Sequence, residues 1–174
     1  MGDSSLNPAE ADVLARMFAA FPSSRVLSED EIRPTPHPGI NLEADQVARY
    51  FAGKAWDQVT LADLHQDYVG DASACLGFMT VRAFGYFLPA YLRECVLWLY
   101  EADMTFDSTL ERLTPSASHM APEEFSEFTQ ALSQAQKSAI AHSLSYNSRC
   151  CIALGGLDDD FAGSALQEYW GEFS

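Results

Sequence analysis

The chain has 174 residues, which is enough for one domain with a substantial hydrophobic core. Apolar residues make up 48% of the sequence and aromatic residues 12%, which excludes an intrinsically disordered chain. The 25 acidic residues outnumber the 10 basic residues and give a net charge of −15, which disfavours binding to nucleic acids and to anionic membranes.

Capping signals divide the first part of the chain into short helices. Asn7, Pro8 and Glu10 have the pattern of a helix start, with a cap, a proline in the first turn and a capping box. Asn41 and Thr60 are the predicted caps of the next two helices, because their side chains can accept a free backbone N–H.

A proline-rich, acidic segment lies between the first two of these helices, at about residues 25–41. It contains Glu29, Asp30 and Glu31, followed by three prolines at alternating positions. Alternating prolines favour an extended, solvated backbone, so we predict a long loop here.

The longest apolar pattern covers residues 80–100, with Thr80 as its predicted cap. Pro89 lies inside this pattern and cannot donate a backbone hydrogen bond to the carbonyl of Gly85, so we predict a kinked helix. Charged residues and Pro89 interrupt the apolar run, so it is not predicted to span a membrane. The apolar side chains that share one helical face are Phe84, Leu88, Tyr91, Leu92, Cys95 and Leu99.

Helical patterns continue to the end of the chain. Ser108 is predicted to cap a short helix, Pro122 starts another, a break is expected at Ser133, and Ser164 is predicted to cap the last helix. The only strand candidate is the short apolar run at 150–154.

These patterns predict an all-α, compact, single-domain bundle over residues 1–174. About six to eight helices are expected around a buried central helix that is kinked at Pro89. The first residues lack the pattern of a signal peptide, and the four cysteines have no disulfide or metal spacing. We therefore predict a cytoplasmic protein with reduced thiols.

The central stretch FMTVRAFGYFLPAYL resembles the signature of an uncharacterised family of small bacterial proteins, a domain of unknown function. A later segment, FSEFTQALSQAQKSAIAHSLSY, is similar to the same family, and the resemblance covers residues 55–146. It implies no established activity, and the members resemble small accessory or immunity-type proteins of bacterial toxin systems. The matching positions are Phe78, Met79, Thr80, Ala83, Phe84, Tyr86, Phe87, Leu88, Pro89, Ala90, Tyr91, Gln136, Ala139, Ile140, Leu144 and Tyr146.

No motif for catalysis, for a cofactor or for a metal ion is present in the sequence. The histidines and cysteines lack ligand spacing, and the acidic run Asp158, Asp159 and Asp160 lacks the alternating oxygens and distal glutamate of a calcium loop. We therefore predict no catalytic residue, no metal and no cofactor.

The high negative charge suggests a non-enzymatic binding protein of immunity or antitoxin type that occludes a basic protein partner, possibly a toxin. The predicted contact residues are Glu29, Asp30, Glu31, Asp158, Asp159 and Asp160.

Two other classes of function stay open. The chain could be a small-ligand-binding protein or an enzyme whose pocket lies beside the central helix. The polar groups that could line that pocket are Arg82, Tyr86, Tyr91 and His142. It could also be a scaffold or subunit with an apolar contact patch, and the oligomeric state is left open.

Overall fold

The computed structural model describes residues 6–35, 39–98, 103–153 and 160–174. These residues form nine α-helices and three 3₁₀ helices, with no strand. The all-α prediction is confirmed, and the helices exceed the predicted number. The α-helices are α1 (Pro8–Ala20), α2 (Glu29–Ile32), α3 (Leu42–Phe51), α4 (Leu61–Asp67), α5 (Val81–Leu97), α6 (Asp103–Leu113), α7 (Pro122–Ala131), α8 (Gln134–Ala153) and α9 (Phe161–Glu168). The 3₁₀ helices are Trp56–Gln58, Ala72–Phe78 and Trp170–Phe173.

The helix starts follow the capping signals of the sequence. The Asn7 side chain accepts the backbone N–H of Glu10 at 2.9 Å, and the Glu10 carboxylate accepts the N–H of Asn7 at 2.9 Å. Asn41, Thr60 and Thr80 cap α3, α4 and α5 through side-chain oxygens that lie 3.1 to 3.2 Å from backbone nitrogens. These predicted caps are confirmed.

Helix α5 is largely buried. Twelve of its 17 residues are buried. The ring of Phe87 packs against Phe51 of α3, and the ring of Phe84 packs against Phe128 of α7, each with centroids 4.8 Å apart. The helix includes Pro89 in its interior, and a bend at this residue stays a prediction.

A buried ion pair joins α5 to the chain before α4. Arg93 donates to one carboxylate oxygen of Glu94 at 2.9 and 2.8 Å and also to the backbone carbonyls of Asp57 and Val59. The other carboxylate oxygen of Glu94 accepts the N–H of Leu61 at 3.0 Å, at the positive N-terminus of α4. The pair therefore fixes the first 3₁₀ helix and α4 against α5.

Hydrogen bonds also hold α2 against the start of α5. The backbone N–H of Thr80 donates to the carbonyl of Ile32 at 2.9 Å, and the Thr80 hydroxyl donates to the carbonyl of Glu31 at 2.7 Å. Arg33, at the end of α2, donates to Asp45 of α3 at 2.7 Å. These contacts place the acidic first turn of α2 beside the first turn of α5.

The C-terminal 3₁₀ helix packs against α8 and α9. Trp170 is fully buried, and its indole N–H donates to the carbonyl of Leu113 at the end of α6, at 2.8 Å. Helix α8 packs between α1 and α9. In the described part of the chain, no helix combines the length and hydrophobicity that crossing a membrane requires.

Three predictions in the second half of the chain differ from the structure. Residues 150–153 of the strand candidate belong to α8, because a short apolar run does not distinguish a strand from a buried helix. Asp160, and not Ser164, caps α9 and accepts the N–H of Gly163 at 2.8 Å. Helix α6 begins five residues before Ser108, while the predicted break at Ser133 separates α7 from α8 as expected.

The predicted loop at 25–41 contains α2, so the acidic run Glu29, Asp30 and Glu31 forms a helical turn. Ser28 starts this helix, because its N–H donates to the Glu31 carboxylate at 3.0 Å. The prolines at 36 and 38, and Leu99 of the predicted core face, lie outside the described residues.

Candidate functional site

A pocket of about 530 Å³ lies beside the first turns of α5. Its walls come from the chain between α1 and α2, from the first 3₁₀ helix, from α5, and from the junction of α7 and α8. Its main apolar lining residues are Phe21, Leu27, Trp56, Val81, Phe128 and Leu132. Its polar lining residues are Ser24, Arg25, Arg82, Tyr86, Glu127 and Gln136.

The hydroxyl of Tyr86 joins three of these walls. It donates to the backbone carbonyl of Arg25 and accepts the backbone N–H of Trp56 at 3.3 Å. The indole N–H of Trp56 donates to the carbonyl of Phe21 at 3.1 Å. The chain between α1 and α2, which forms the first wall, therefore accepts two hydrogen bonds, one at Phe21 and one at Arg25. Burial raises the pKa of Tyr86, and the hydrogen bond from Trp56 opposes that rise. Tyr86 is therefore a neutral donor at neutral pH.

Gly85 of α5 and Phe128 of α7 form neighbouring parts of the pocket lining. Phe128 is 1% exposed, and a Cβ atom added at Gly85 would lie 3.5 Å from its ring. Gly85 lines the pocket, and Pro89, four residues later, has no N–H to donate to the Gly85 carbonyl. The helix therefore leaves one backbone acceptor without its usual donor next to the pocket.

Two arginines and one glutamate form the charged rim of the pocket. Arg25 donates to a carboxylate oxygen of Glu31, and a guanidinium nitrogen of Arg82 lies 3.6 Å from the same oxygen. The side chains of Arg25 and Arg82 are 53% and 58% exposed. Hydrogen bonds from Ser28, and then the charges of both arginines, lower the pKa of Glu31. The rim therefore holds a carboxylate between two guanidinium groups.

Comparison with family models matches residues 39–174 to a family described as a family of unknown function, DUF6714. The match covers more than half of the chain. The chain belongs to this family. Comparison with curated proteins and with solved structures gave no match.

The family match begins after the first wall of the pocket. Phe21, Leu27 and Arg25 precede residue 39, and so does Glu31 of the rim. Trp56 and the other walls lie inside the matched part. The pocket is therefore built from both parts of the chain.

Two of the four residues predicted to line a pocket are brought together here, and two are not. Arg82 and Tyr86 both line it. Tyr91 is 1% exposed and directs its hydroxyl towards the carbonyl of Ala72, at 3.5 Å. His142 contacts Asp12 of α1 at 2.9 Å, away from the pocket lining.

The predicted acidic contact residues of α2 are bonded to arginines of the same chain. Glu29 and Asp30 lie 3.1 and 2.9 Å from guanidinium nitrogens of Arg33, whose side chain is 5% exposed. Arg33 also pairs with Asp45, so three carboxylates surround one buried guanidinium. Glu31 is held at the pocket rim. The acidic residues of α2 are therefore paired within the chain, although the carboxylates around Arg33 outnumber it.

The second acidic cluster is only partly described. Asp160 caps α9 and also accepts a hydrogen bond from the Ser148 hydroxyl at 3.0 Å. Asp158 and Asp159 lie outside the described residues. Asp160 thus has a structural role in the helix start.

Sequence reasoning missed Arg25, Trp56 and Phe128 as pocket residues. They come from three separate elements, and local periodicity does not indicate that such elements meet. One signal in the sequence could have indicated Arg25 as a site residue. The chain has only ten basic residues, and two of them, Arg25 and Arg82, lie at this rim.

A second cavity, of about 510 Å³, lies between α4 and the end of α5. Its lining includes the buried pair Arg93 and Glu94, together with Leu61, Leu97 and Trp98. The polar atoms of Arg93 and Glu94 are occupied by each other and by backbone groups. This cavity therefore has fewer free polar groups than the first.

Proposed function

We propose that this protein is a binding protein whose ligand occupies the pocket beside α5. The observation that supports it is the convergence of Arg25, Arg82 and Tyr86 at the edge of an aromatic cavity. Ligand sites have volumes of roughly 300 to 1,000 Å³ and combine apolar walls with a few polar groups. The pocket has that size and that composition.

The test is a fragment screen by ligand-observed NMR on three proteins. Ala131 lines the pocket and is exposed, so Ala131→Phe should fill the cavity without disturbing the core. Ala15→Phe is the matched control, at an exposed position of α1 outside the lining. We expect fragments that bind the wild-type protein and the control to lose binding in Ala131→Phe. Fragments that bind all three proteins equally would contradict the proposal.

The second candidate function is the occlusion of a basic protein partner, as in immunity-type proteins of bacterial toxin systems. It is favoured by the net charge of −15 and by Asp30, whose side chain is 91% exposed on α2. Glu29 and Asp45 also share Arg33, so the carboxylates outnumber this guanidinium. An excess of exposed negative charge would steer a basic partner towards this face.

The contacts of α2 determine which variant can test this second candidate. Reversing all three residues of the acidic run would also remove the Glu31 cap and a partner of buried Arg33. Asp30→Lys changes only the most exposed carboxylate of the run and leaves Glu29 and Asp45 paired with Arg33. Glu123→Lys, in the first turn of α7, is a matched charge reversal elsewhere. A partner recovered from cells should associate more slowly with Asp30→Lys than with Glu123→Lys, and more slowly as salt increases. Equal rates for both variants would assign the effect to overall charge.

We also propose that the protein works in a reducing cytoplasm and that α5 bends at Pro89. All four cysteines are free in the structure, which supports a reducing compartment. The lost hydrogen bond at Pro89 supports the bend. Fractionation of cells and an experimental structure of α5 are the respective tests.

A further inference from the structure

We propose that the ligand of the pocket is a small amphipathic monocarboxylate. Its apolar part would lie against the accessible apolar lining, which includes Val81, Ala131 and Leu132, and its carboxylate would contact Arg25 and Arg82 at the rim. This inference rests on the proposed pocket function and specifies the chemistry of the ligand.

The arginines of the rim have unused hydrogen-bond donors. A guanidinium group carries five N–H donors, arranged to match a carboxylate. The side chain of Arg25 makes one hydrogen bond, to Glu31, among the described residues. Arg82 lies 3.6 Å from Glu31, which is longer than a hydrogen bond. A second carboxylate can therefore bind here without displacing a contact of the core.

Glu31 already shows how a carboxylate fits between these groups. One of its oxygens faces Arg25 and Arg82, while the other accepts the N–H and the hydroxyl of Ser28, both at 3.0 Å. Because Ser28 holds Glu31 in place, this side chain competes with a ligand for the arginines. A ligand carboxylate must bind beside it.

The charges around the pocket favour a single negative charge on the ligand. The two arginines face Glu31, and Glu127 lies in the pocket lining. Two positive and two negative groups leave no excess positive charge, so the arginines recognise shape and hydrogen-bond geometry rather than supplying a strong field. The net charge of −15 further disfavours ligands with several negative charges.

The apolar lining of the pocket requires an apolar partner for the carboxylate. This lining includes Pro22 and Ala131, which are exposed, and Val81 and Leu132, which are partly exposed. A purely polar anion would leave this apolar surface uncovered, whereas an alkyl or aryl chain would bury it. An amphipathic acid satisfies both parts of the site.

The first experiment compares octanoate with octanamide by calorimetric titration of the full chain. The two probes share a chain and a head-group shape and differ in charge. We expect octanoate to bind about tenfold more tightly, because charge-assisted hydrogen bonds to arginine are stronger than neutral ones. Equal affinities would overturn the carboxylate assignment and leave the pocket function standing. Failure of both probes to bind would also overturn it, and the fragment screen with Ala131→Phe then decides the pocket function separately.

The second experiment uses variants of the rim arginines and measures the ratio of the affinity for octanoate to the affinity for octanamide. Arg25→Gln and Arg82→Gln should each reduce the preference for octanoate and leave the affinity for octanamide unchanged. Arg16→Gln is the control, because its side chain is 53% exposed like that of Arg25 and also pairs with a carboxylate, Asp12, at 2.9 Å. A loss of preference in the control as large as in the rim variants would overturn the assignment.

Glu31→Gln tests the competition directly. Glutamine can replace glutamate in a capping box, so α2 should keep its start. Removal of the competing charge should tighten octanoate binding about threefold, the scale of one exposed ion pair, and leave octanamide unaffected. Weaker octanoate binding in this variant would show that Glu31 supports the ligand rather than competing with it, and would overturn this geometry.

Discussion

The buried pair Arg93–Glu94 gives the sharpest test of how this bundle is held together. The two side chains are 8% and 5% exposed. Glu94→Ala would leave the largely buried Arg93 guanidinium with only the carbonyls of Asp57 and Val59, and would remove the acceptor of the Leu61 N–H. Breaking a buried pair by removing one partner costs about 3 to 5 kcal/mol of unfolding free energy, because an uncompensated charge stays buried.

The double variant Arg93→Met/Glu94→Ala distinguishes this explanation from a simple loss of contacts. It leaves no unpaired charge, so we expect it to be more stable than Glu94→Ala alone. Independent contacts would instead make the double variant the least stable protein of the set.

Urea unfolding at neutral pH measures these differences as changes in unfolding free energy. Glu94→Ala should also lower the melting temperature by roughly 6 to 20 °C in a chain of this length. Arg16→Ala is the control, because the Arg16–Asp12 pair is 53% and 50% exposed, and its loss should cost less than about 1 kcal/mol. A cost for Glu94→Ala no larger than that of the control would refute the assignment of a desolvated pair.

Three further predictions follow from burial and hydrogen bonding. Leu92 is fully buried in α5, so Leu92→Ala should lower the unfolding free energy by about 2 to 5 kcal/mol in urea titrations. A change below about 0.5 kcal/mol would show that the Leu92 side chain does not fill the core. Burial raises the pKa of the Cys95 thiol, whereas Cys150 is partly exposed, so iodoacetamide labelling followed by mass spectrometry should modify Cys150 first. Hydrogen bonds from Ser28 lower the pKa of Glu31 below 4.5, so its stabilising effect is present above that pH and is lost as the pH falls through the folded-state pKa. An NMR titration of Glu31 with a midpoint at or above 4.5 would contradict this last prediction.

The starts of α1, α3, α4 and α5 were predictable because capping is local. The signals at Asn7, Thr60 and Thr80 involve residues two or three positions apart, and the structure confirms them. The short helix α2 was missed because the alternating prolines that follow it favour extended chain. Once it is known to be helical, the spacing of Glu29 and Asp30 from Arg33 predicts the ion pairs.

The candidate site was only half predictable, for a geometric reason. Tyr86 and Tyr91 are five residues apart on α5, which rotates one side chain about 140° from the other. The same helix therefore directs Tyr86 to the pocket and Tyr91 into the core. The partners of Tyr86, at Arg25 and Trp56, depend on tertiary packing, which the sequence pattern does not contain.

The first wall of the pocket lies before residue 39, outside the residues that match the family. A chain that began at residue 39 would keep everything that the family model matches, yet Trp56 would lose its acceptor at Phe21 and Tyr86 its acceptor at Arg25. It would carry an open aromatic groove in place of a pocket. If the pocket binds a ligand as we propose, the matched part supplies most of its walls and the preceding segment supplies the wall that limits which ligands fit.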